Sequence, residues 1–407
     1  MEKIKKLYSD CEKSMKIYVY PFYPKKFKSL FEFINYVKND KNYLWGETYK
    51  SWVYFTDYLI NSKLFTTDEN EADLYLVLQW ENYNKGREYY NDLVLPLERA
   101  INHKIYKSTN PIRNHIFIYI SDETPLYEKR MPLFIRKELE KRFIRLTYSG
   151  RIPFYGRYHT SKTKIDIFNF DYQNEIVLPC GIPSNDLTKE IKLSNLNLKD
   201  RSNKFYYQGT LNPPEEQIER KEFLNLIKKH SNINSDTNNI YGIHAAGWGI
   251  WTARFYHYLQ LGIIPIFQSD GVIMPFERFF NYESFSIKLL SNKSNDDIIT
   301  KLKNINLIKS NIQNMLNNIE DIKHFFNWKS SYKYKNPFTL TIIELYEYVK
   351  LNNNKSKYLY EKSYIAKKEF CHIEKNLPKL YREQNIHEDS IKLPLIEFYD
   401  YIKINNK

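Results

Sequence analysis

IYGIHAAGWGIWTARFYHYLQLGIIPIFQSD, residues 240–270, reads in order as a strand, a glycine loop, a helix, a glycine stop and a second strand. That succession is the repeating unit of a parallel α/β sheet. Gly247 and Gly249 flank Trp248 ahead of the helix. A loop of this kind lets backbone N–H groups and a helix N-terminus come close to a phosphate, although glycines also serve simply as turn punctuation. Thr252 falls in the first helical turn, where its hydroxyl can cap the helix or contact phosphate, and Arg254 offers a planar cationic fork to a diphosphate.

Working outward, KFYYQG (204–209) is a strand that stops at a glycine, followed by a helix from Glu215 to Lys229. Helices near Asp296 to Leu307 and Ile312 to Phe326 close this unit, and Phe338 to Leu351 is helical again. A polar, Asn- and Lys-rich stretch from Lys189 to Asn203 precedes it and reads as a linker. A second α/β pattern lies before the linker. MKIYVYPFYP (15–24) alternates Ile17 and Val19 with Tyr18 and Tyr20 before its prolines, as an edge or first strand does. A helix over Tyr49 to Asn61 comes next, then a further helical turn that Thr67 or Asp68 can cap. Leu74 to Leu78 is a continuous apolar strand of the kind buried on both faces. A helix around Leu93 to Tyr106 leads to the strand in RNHIFIYISDE (113–123), and residues 143–184 break into short runs ending at NEIVLPCGIP. The expected organisation is one Rossmann-like domain over 15–190, a second over 200–345 and a helical extension over 346–407, with a cleft between the carboxyl ends of the two sheets.

Composition sets the bounds. At 407 residues the chain is long enough for two domains, and 42% hydrophobic with 27% charged residues describes a globular protein. Cys11, Cys180 and Cys371 are too few and too scattered for a disulfide framework or a four-ligand zinc site, which points to a reducing compartment. No apolar run approaches a membrane span, and the first residues are charged throughout; the expectation is a cytoplasmic protein without membrane insertion. The net charge of +13 accompanies 36 Tyr and many Asn and Ile, all sharing A/T-rich codons with Lys. The basic residues form no dense stripe, so nucleic acid is not the expected partner.

Across 240–282 the chain resembles the exostosin family of glycosyltransferases, whose donor-site signature runs from an aromatic-apolar strand through a glycine loop and Ser-x-Arg to an "IPV" strand and an "LPF" turn. The corresponding residues here are IYGIHAAGWG, Thr252-Ala253-Arg254, GIIPIF (262–267) and MPF (274–276), with Asn281-Tyr282 in place of the family's Asn-Trp or Asp-Trp. Upstream, Arg201, Tyr206, Tyr207 and Gly209 fall in register with the family's Arg-x-x-x-x-Phe-Phe-x-Gly strand, and Arg220 falls near the arginine opening its next helix. SKLFTTDENEADLYLVL, RNHIFIYISDE and MKIYVYPFYP are similar to its amino-terminal segments.

The resemblance implies a GT-B fold in which two Rossmann-like domains face a cleft. It implies an inverting transfer from a UDP-sugar co-substrate to a glycan or glycoprotein acceptor, with no metal required. On that basis Arg201, Gly209, Arg220, Gly247, Gly249, Thr252, Arg254 and His257 are expected to bind the donor. A departing diphosphate needs cations and helix-terminal N–H groups, and an attacking hydroxyl needs a base. Asp122, at the polar end of its strand, ranks first as base; Glu47 is a second carboxylate and His115 a third candidate better read as structural. Asp73 is expected to brace the strand after it, and Trp45, Trp80 and Trp248 are core residues or sugar-stacking platforms. His257 stands where many members carry an acid, and Thr210 where they carry Arg or Lys. These departures keep a second reading open, a catalytically inactive fold acting as a binding or partner subunit; an anion-binding protein is a third.

Overall fold

The computed structural model describes residues 1–40, 46–78, 94–108, 114–120, 131–148, 175–182, 201–207, 209, 218–230, 233–234, 238–245, 253–268, 273–277, 279–289, 300 and 309–353. Two separate, wholly parallel sheets organise the chain. The first contains β1 (Ile17–Val19), β2 (Phe65–Thr66), β3 (Leu74–Val77), β4 (His115–Tyr119), β5 (Phe143–Thr147) and β6 (Glu175–Val177), in spatial order β2-β1-β3-β4-β5-β6. The second contains β7 (Ser202–Tyr206), β8 (Ile233–Asn234), β9 (Asn239–His244), β10 (Ile264–Gln268) and β11 (Ile287–Leu289), in order β8-β7-β9-β10-β11. Both sheets therefore start from the same doubly wound order: the second strand lies outside the first, and the third lies on the first strand's other side. The expected pair of Rossmann-like α/β units is what the chain forms.

Parallel strands must be covered on both faces. In the first unit Ile17, Val19, Leu74, Leu76, Ile116, Ile118, Ile144 and Leu146 point into a core shared with α1 (Glu2–Ser14), α2 (Leu30–Asn39) and α3 (Ser51–Ile60). The alternate residues Tyr75, Val77, Phe117, Tyr119 and Phe143 pack with α4 (Leu95–Asn102), α5 (Lys104–Ser108) and α6 (Leu133–Arg142). Arg145 and Glu175, level with each other on β5 and β6, form a fully buried ion pair at 3.0 Å, and Arg145 also donates to Leu139 O at 2.7 Å. In the second unit α7 (Ile218–His230) follows β7, α8 (Ala253–Gln260) follows β9, and α9 (Lys309–Ile322) continues into a 3-10 turn, Lys323–Phe326.

The last described helix, α10 (Pro337–Asn353), belongs spatially to the beginning of the chain. Phe338 packs against Tyr8 of α1 and against Phe55 and Tyr58 of α3, with ring centroids 6.4, 5.3 and 5.5 Å apart. Position 345/346, where the sequence suggests a boundary, lies inside this uninterrupted helix.

Several local expectations are corrected. Of the two readings of MKIYVYPFYP, first strand holds and edge strand does not, because Phe65–Thr66 pairs along the outer side of β1. No helical turn follows Thr67; Thr66 Oγ1 accepts from Asp68 N at 3.1 Å and Asp68 Oδ1 from Asn70 N at 2.8 Å, so side chains take the backbone donors a helix would need. The helix expected over 93–106 is two helices, because His103 adopts an extended conformation between them. β7 begins at Ser202, inside the stretch read as linker. Asp73 does brace its strand: Oδ2 accepts from Lys16 N at 2.7 Å, tying β3 to the start of β1. The helix expected over 296–307 lies almost wholly outside the described residues. Among the described residues no helix is long and apolar enough to cross a membrane.

Candidate functional site

In a doubly wound sheet, neighbouring strands at the point where the winding reverses send their following helices to opposite faces, leaving a crevice at their carboxyl ends. In the second sheet that point lies between β7 and β9. Tyr207 follows β7 directly and His244 is the last residue of β9. Arg220 sits in the first turn of α7, and Arg254 in the first turn of α8. The topology thus brings two arginines, each at a helix N-terminus, to the two sides of one crevice.

Tyr207 is the hub. Its hydroxyl accepts from Arg220 Nε at 3.0 Å and Nη2 at 2.6 Å, and its ring lies 5.5 Å from the Arg254 guanidinium carbon. Gly209 passes so close that an added Cβ would stand 2.9 Å from both Arg254 Nη2 and the Tyr207 hydroxyl. A side chain here would make the Arg254 guanidinium and the Tyr207 phenol shift. Arg220 and Tyr207 are both buried, which fixes the phenol and the first guanidinium relative to one another. The hydroxyl still has its own proton to donate while it accepts from Arg220. A buried phenol between two cations, with two helix N-termini adjacent, suits an anion with oxygens to spare.

His244 closes β9, the strand on one side of this crevice, level with Phe267 of β10. Phe255 and Phe267 stand edge-on to its ring, at 5.7 and 6.2 Å. Burial, together with the nearby charge of Arg254, holds its imidazole down to about 3, so it is neutral. His257 lies one turn after Arg254 on α8, buried with its ring 6.4 Å from that of Tyr258.

Among the residues expected to bind a donor, Gly209, Arg220 and Arg254 come together, with His257 adjacent on α8. Arg201 does not join them. It precedes β7, and its guanidinium donates to the carbonyls of Gly262 and, at 3.0 Å, Leu261, at the amino edge of the sheet. Gly262 adopts φ +61°, so Arg201 secures the tight turn between α8 and β10. Gly247, Gly249 and Thr252 lie outside the described residues, as do Trp45, Trp80 and Trp248.

On the first unit, Asp122 is outside the described residues and Glu47 is within them, in the 3-10 turn Gly46–Tyr49. Tyr148 OH donates to Thr48 O at 2.7 Å, and Gly181 N donates to the same carbonyl at 3.0 Å. These bonds set Glu47 at the carboxyl edge of the first sheet, beyond β5 and β6. Its carboxylate accepts from the Tyr54 hydroxyl and lies 3.0 Å from Lys329 Nζ and 3.4 Å from Lys50 Nζ. Burial opposes its ionisation, but the bonds from Tyr54 and Lys329 and the two ammonium charges outweigh that, holding the carboxyl below its usual range. His115 is in the interior: Nδ1 donates to Asn114 Oδ1 at 2.8 Å, which leaves Nε2 to accept from Tyr20 OH at 2.9 Å. Burial, with the Arg142 charge, lowers its pKa to about 3.

In the sequence Tyr207 falls in register with a strand motif that gives it no role, and neither His244 nor Lys329 stands out. The signal for the first two is positional: each closes an apolar run at the carboxyl end of a parallel strand. Lys329 reaches the first unit from a distant stretch of chain, for which sequence carries no local sign.

No family model matches the chain, and no curated protein matches it. Among solved structures it is similar to a sucrose-phosphate synthase from Thermosynechococcus elongatus, at 11% identity and a TM-score of 0.33, covering 69% of this chain and 86% of that one. It is also similar to WaaG, a glycosyltransferase involved in lipopolysaccharide biosynthesis, at 11% identity and a TM-score of 0.28, covering 69% of this chain and 88% of that one.

Proposed function

We propose that the chain is a glycosyltransferase of the exostosin-like type, moving a sugar from a UDP-sugar to a carbohydrate or glycosylated acceptor with inversion. The observation that carries the reading is the convergence of Arg220 and Arg254 on Tyr207 at the reversal point of the second sheet. In this reading the diphosphate lies in that crevice. The bond between the anomeric carbon and the diphosphate oxygen breaks as the acceptor oxygen bonds to the anomeric carbon. The acceptor proton passes to a carboxylate of the first unit, and the two guanidiniums, the Tyr207 hydroxyl and the helix N-termini meet the charge left on UDP. Asp122 is the preferred base. Glu47 is a weaker one while Tyr54 and Lys329 occupy its carboxylate, since proton transfer is most effective when the base titrates near working pH.

Titration calorimetry with UDP, paired with an assay of UDP release from UDP-sugars, tests this. The native chain is expected to bind UDP and release it from at least one UDP-sugar, and Arg254→Ala to bind it at least tenfold more weakly, the loss of one charge-assisted hydrogen bond of about 1.5–3 kcal/mol. Binding without turnover across donors and acceptors would instead make the chain a binding subunit. An Arg254→Ala variant that binds UDP as the native chain does would refute the site.

A further inference from the structure

At the edge of this crevice is a polar side chain with no assigned task. His244 is 3% exposed, and neither ring nitrogen makes a hydrogen bond of normal geometry, its own backbone being the polar group that weakly favours the charged ring. Its ring is flanked by Phe255 and Phe267, which offer nothing to bond. Nearly all buried polar groups in proteins are paired, and leaving one unpaired costs about 1–3 kcal/mol. His115 shows how this chain treats a histidine whose place is structural: both of its nitrogens are bonded, to Asn114 and Tyr20. His244 is different, and it closes β9 at the reversal point, near enough to Arg254 to feel its charge.

We propose that His244 is a ligand-binding residue, whose imidazole hydrogen-bonds a phosphate oxygen of the nucleoside diphosphate held by Arg254, Arg220 and Tyr207. The proposal rests on the donor-site reading above and adds to it a neutral donor on the strand side of the crevice, facing the cations on the helix side. A neutral imidazole has one N–H to give, and a phosphate oxygen accepts it with no change of protonation.

A structural histidine and a binding histidine respond oppositely to an apolar replacement. Calorimetry with UDP and thermal unfolding of the full chain are therefore measured together for native protein, His244→Phe, His244→Gln and Arg254→Ala. His244→Phe removes the two unpaired nitrogens while keeping an aromatic ring, so its melting temperature is expected to equal or exceed the native value while UDP affinity falls about tenfold. His244→Gln, which keeps an amide donor, is expected to recover part of that affinity; it also carries the test if the phenylalanine variant fails to fold. Native-like UDP affinity in the folded His244 variants, with affinity lost in Arg254→Ala, overturns the proposal and leaves the donor site standing. Absence of UDP binding by the native chain overturns both.

Discussion

Two buried imidazoles govern how stability depends on acid. His115 and His244 are both held at about 3 in the fold, against 6.5 for an ordinary histidine, chiefly because burial penalises the charged form. Between those two values the unfolded chain binds protons that the folded chain refuses, so stability is fully present above about 6.5 and falls as pH drops toward 3. Each residue contributes a loss of about 2 kcal/mol between pH 7 and 5, a range in which most carboxylates hold their charge in both states. Urea unfolding followed across that range is expected to show the loss, and a His115→Gln or His244→Phe variant to flatten it by about half. A pH-independent midpoint from 7 to 5 would contradict the burial of both rings. At the β7/β9 reversal the same neutrality matters for packing, because an uncharged imidazole can sit near Arg254 without charge repulsion.

At the scale of elements, the chain is most legible where one residue type settles a local choice. Leu74 to Val77, a continuous apolar run, is a strand buried on both faces, and the glycine stop after α8 is a residue at φ +61°, which few side chains tolerate. The start of α2, a helix not among those expected from the sequence, is set by capping: Ser29 Oγ accepts from Glu32 N at 3.1 Å while Glu32 accepts from Lys28 N at 2.7 Å. Helix α1 is hidden by its charges, although Tyr8 and Cys11 bury one stripe of it and burial pushes the Cys11 thiol up to about 12. Arg254, Arg220 and Gly209 could be read from motif and position. The geometry that joins them at Tyr207 depends on strand order, which no local pattern encodes. The close approach at Gly181 is of that non-local kind: a Cβ there would lie 1.8 Å from Glu47 O, a backbone atom that cannot swing away. Gly181→Ala is expected to cost about 3 kcal/mol in urea unfolding, at the upper end of overpacking effects, by forcing the Gly46–Tyr49 turn off the sheet edge. An unchanged midpoint would mean that this turn does not sit on the strand ends as described.

Over the whole molecule, the chain returns to its beginning before it ends. Tyr58 of the first unit donates to Trp328 O and Ser330 O, both at 3.1 Å, and Trp328 Nε1 donates to Pro179 O at 2.7 Å. Lys329, between them, carries its charge to Glu47, and α10 then lies against α1 and α3. The segment after the second unit is thus fastened to the carboxyl edge of the first sheet, on the side where that unit would present a base and an acceptor. In the proposed reaction the two sheets would have separate tasks, leaving-group charge being met at the β7/β9 reversal and the proton removed by the first unit. The most direct test of that division is a crystal structure of the full chain with UDP. The account predicts the diphosphate in the crevice, bonded to Arg254 and the Tyr207 hydroxyl with His244 within hydrogen-bond reach; a nucleotide bound elsewhere, touching neither Arg220 nor Arg254, would contradict it.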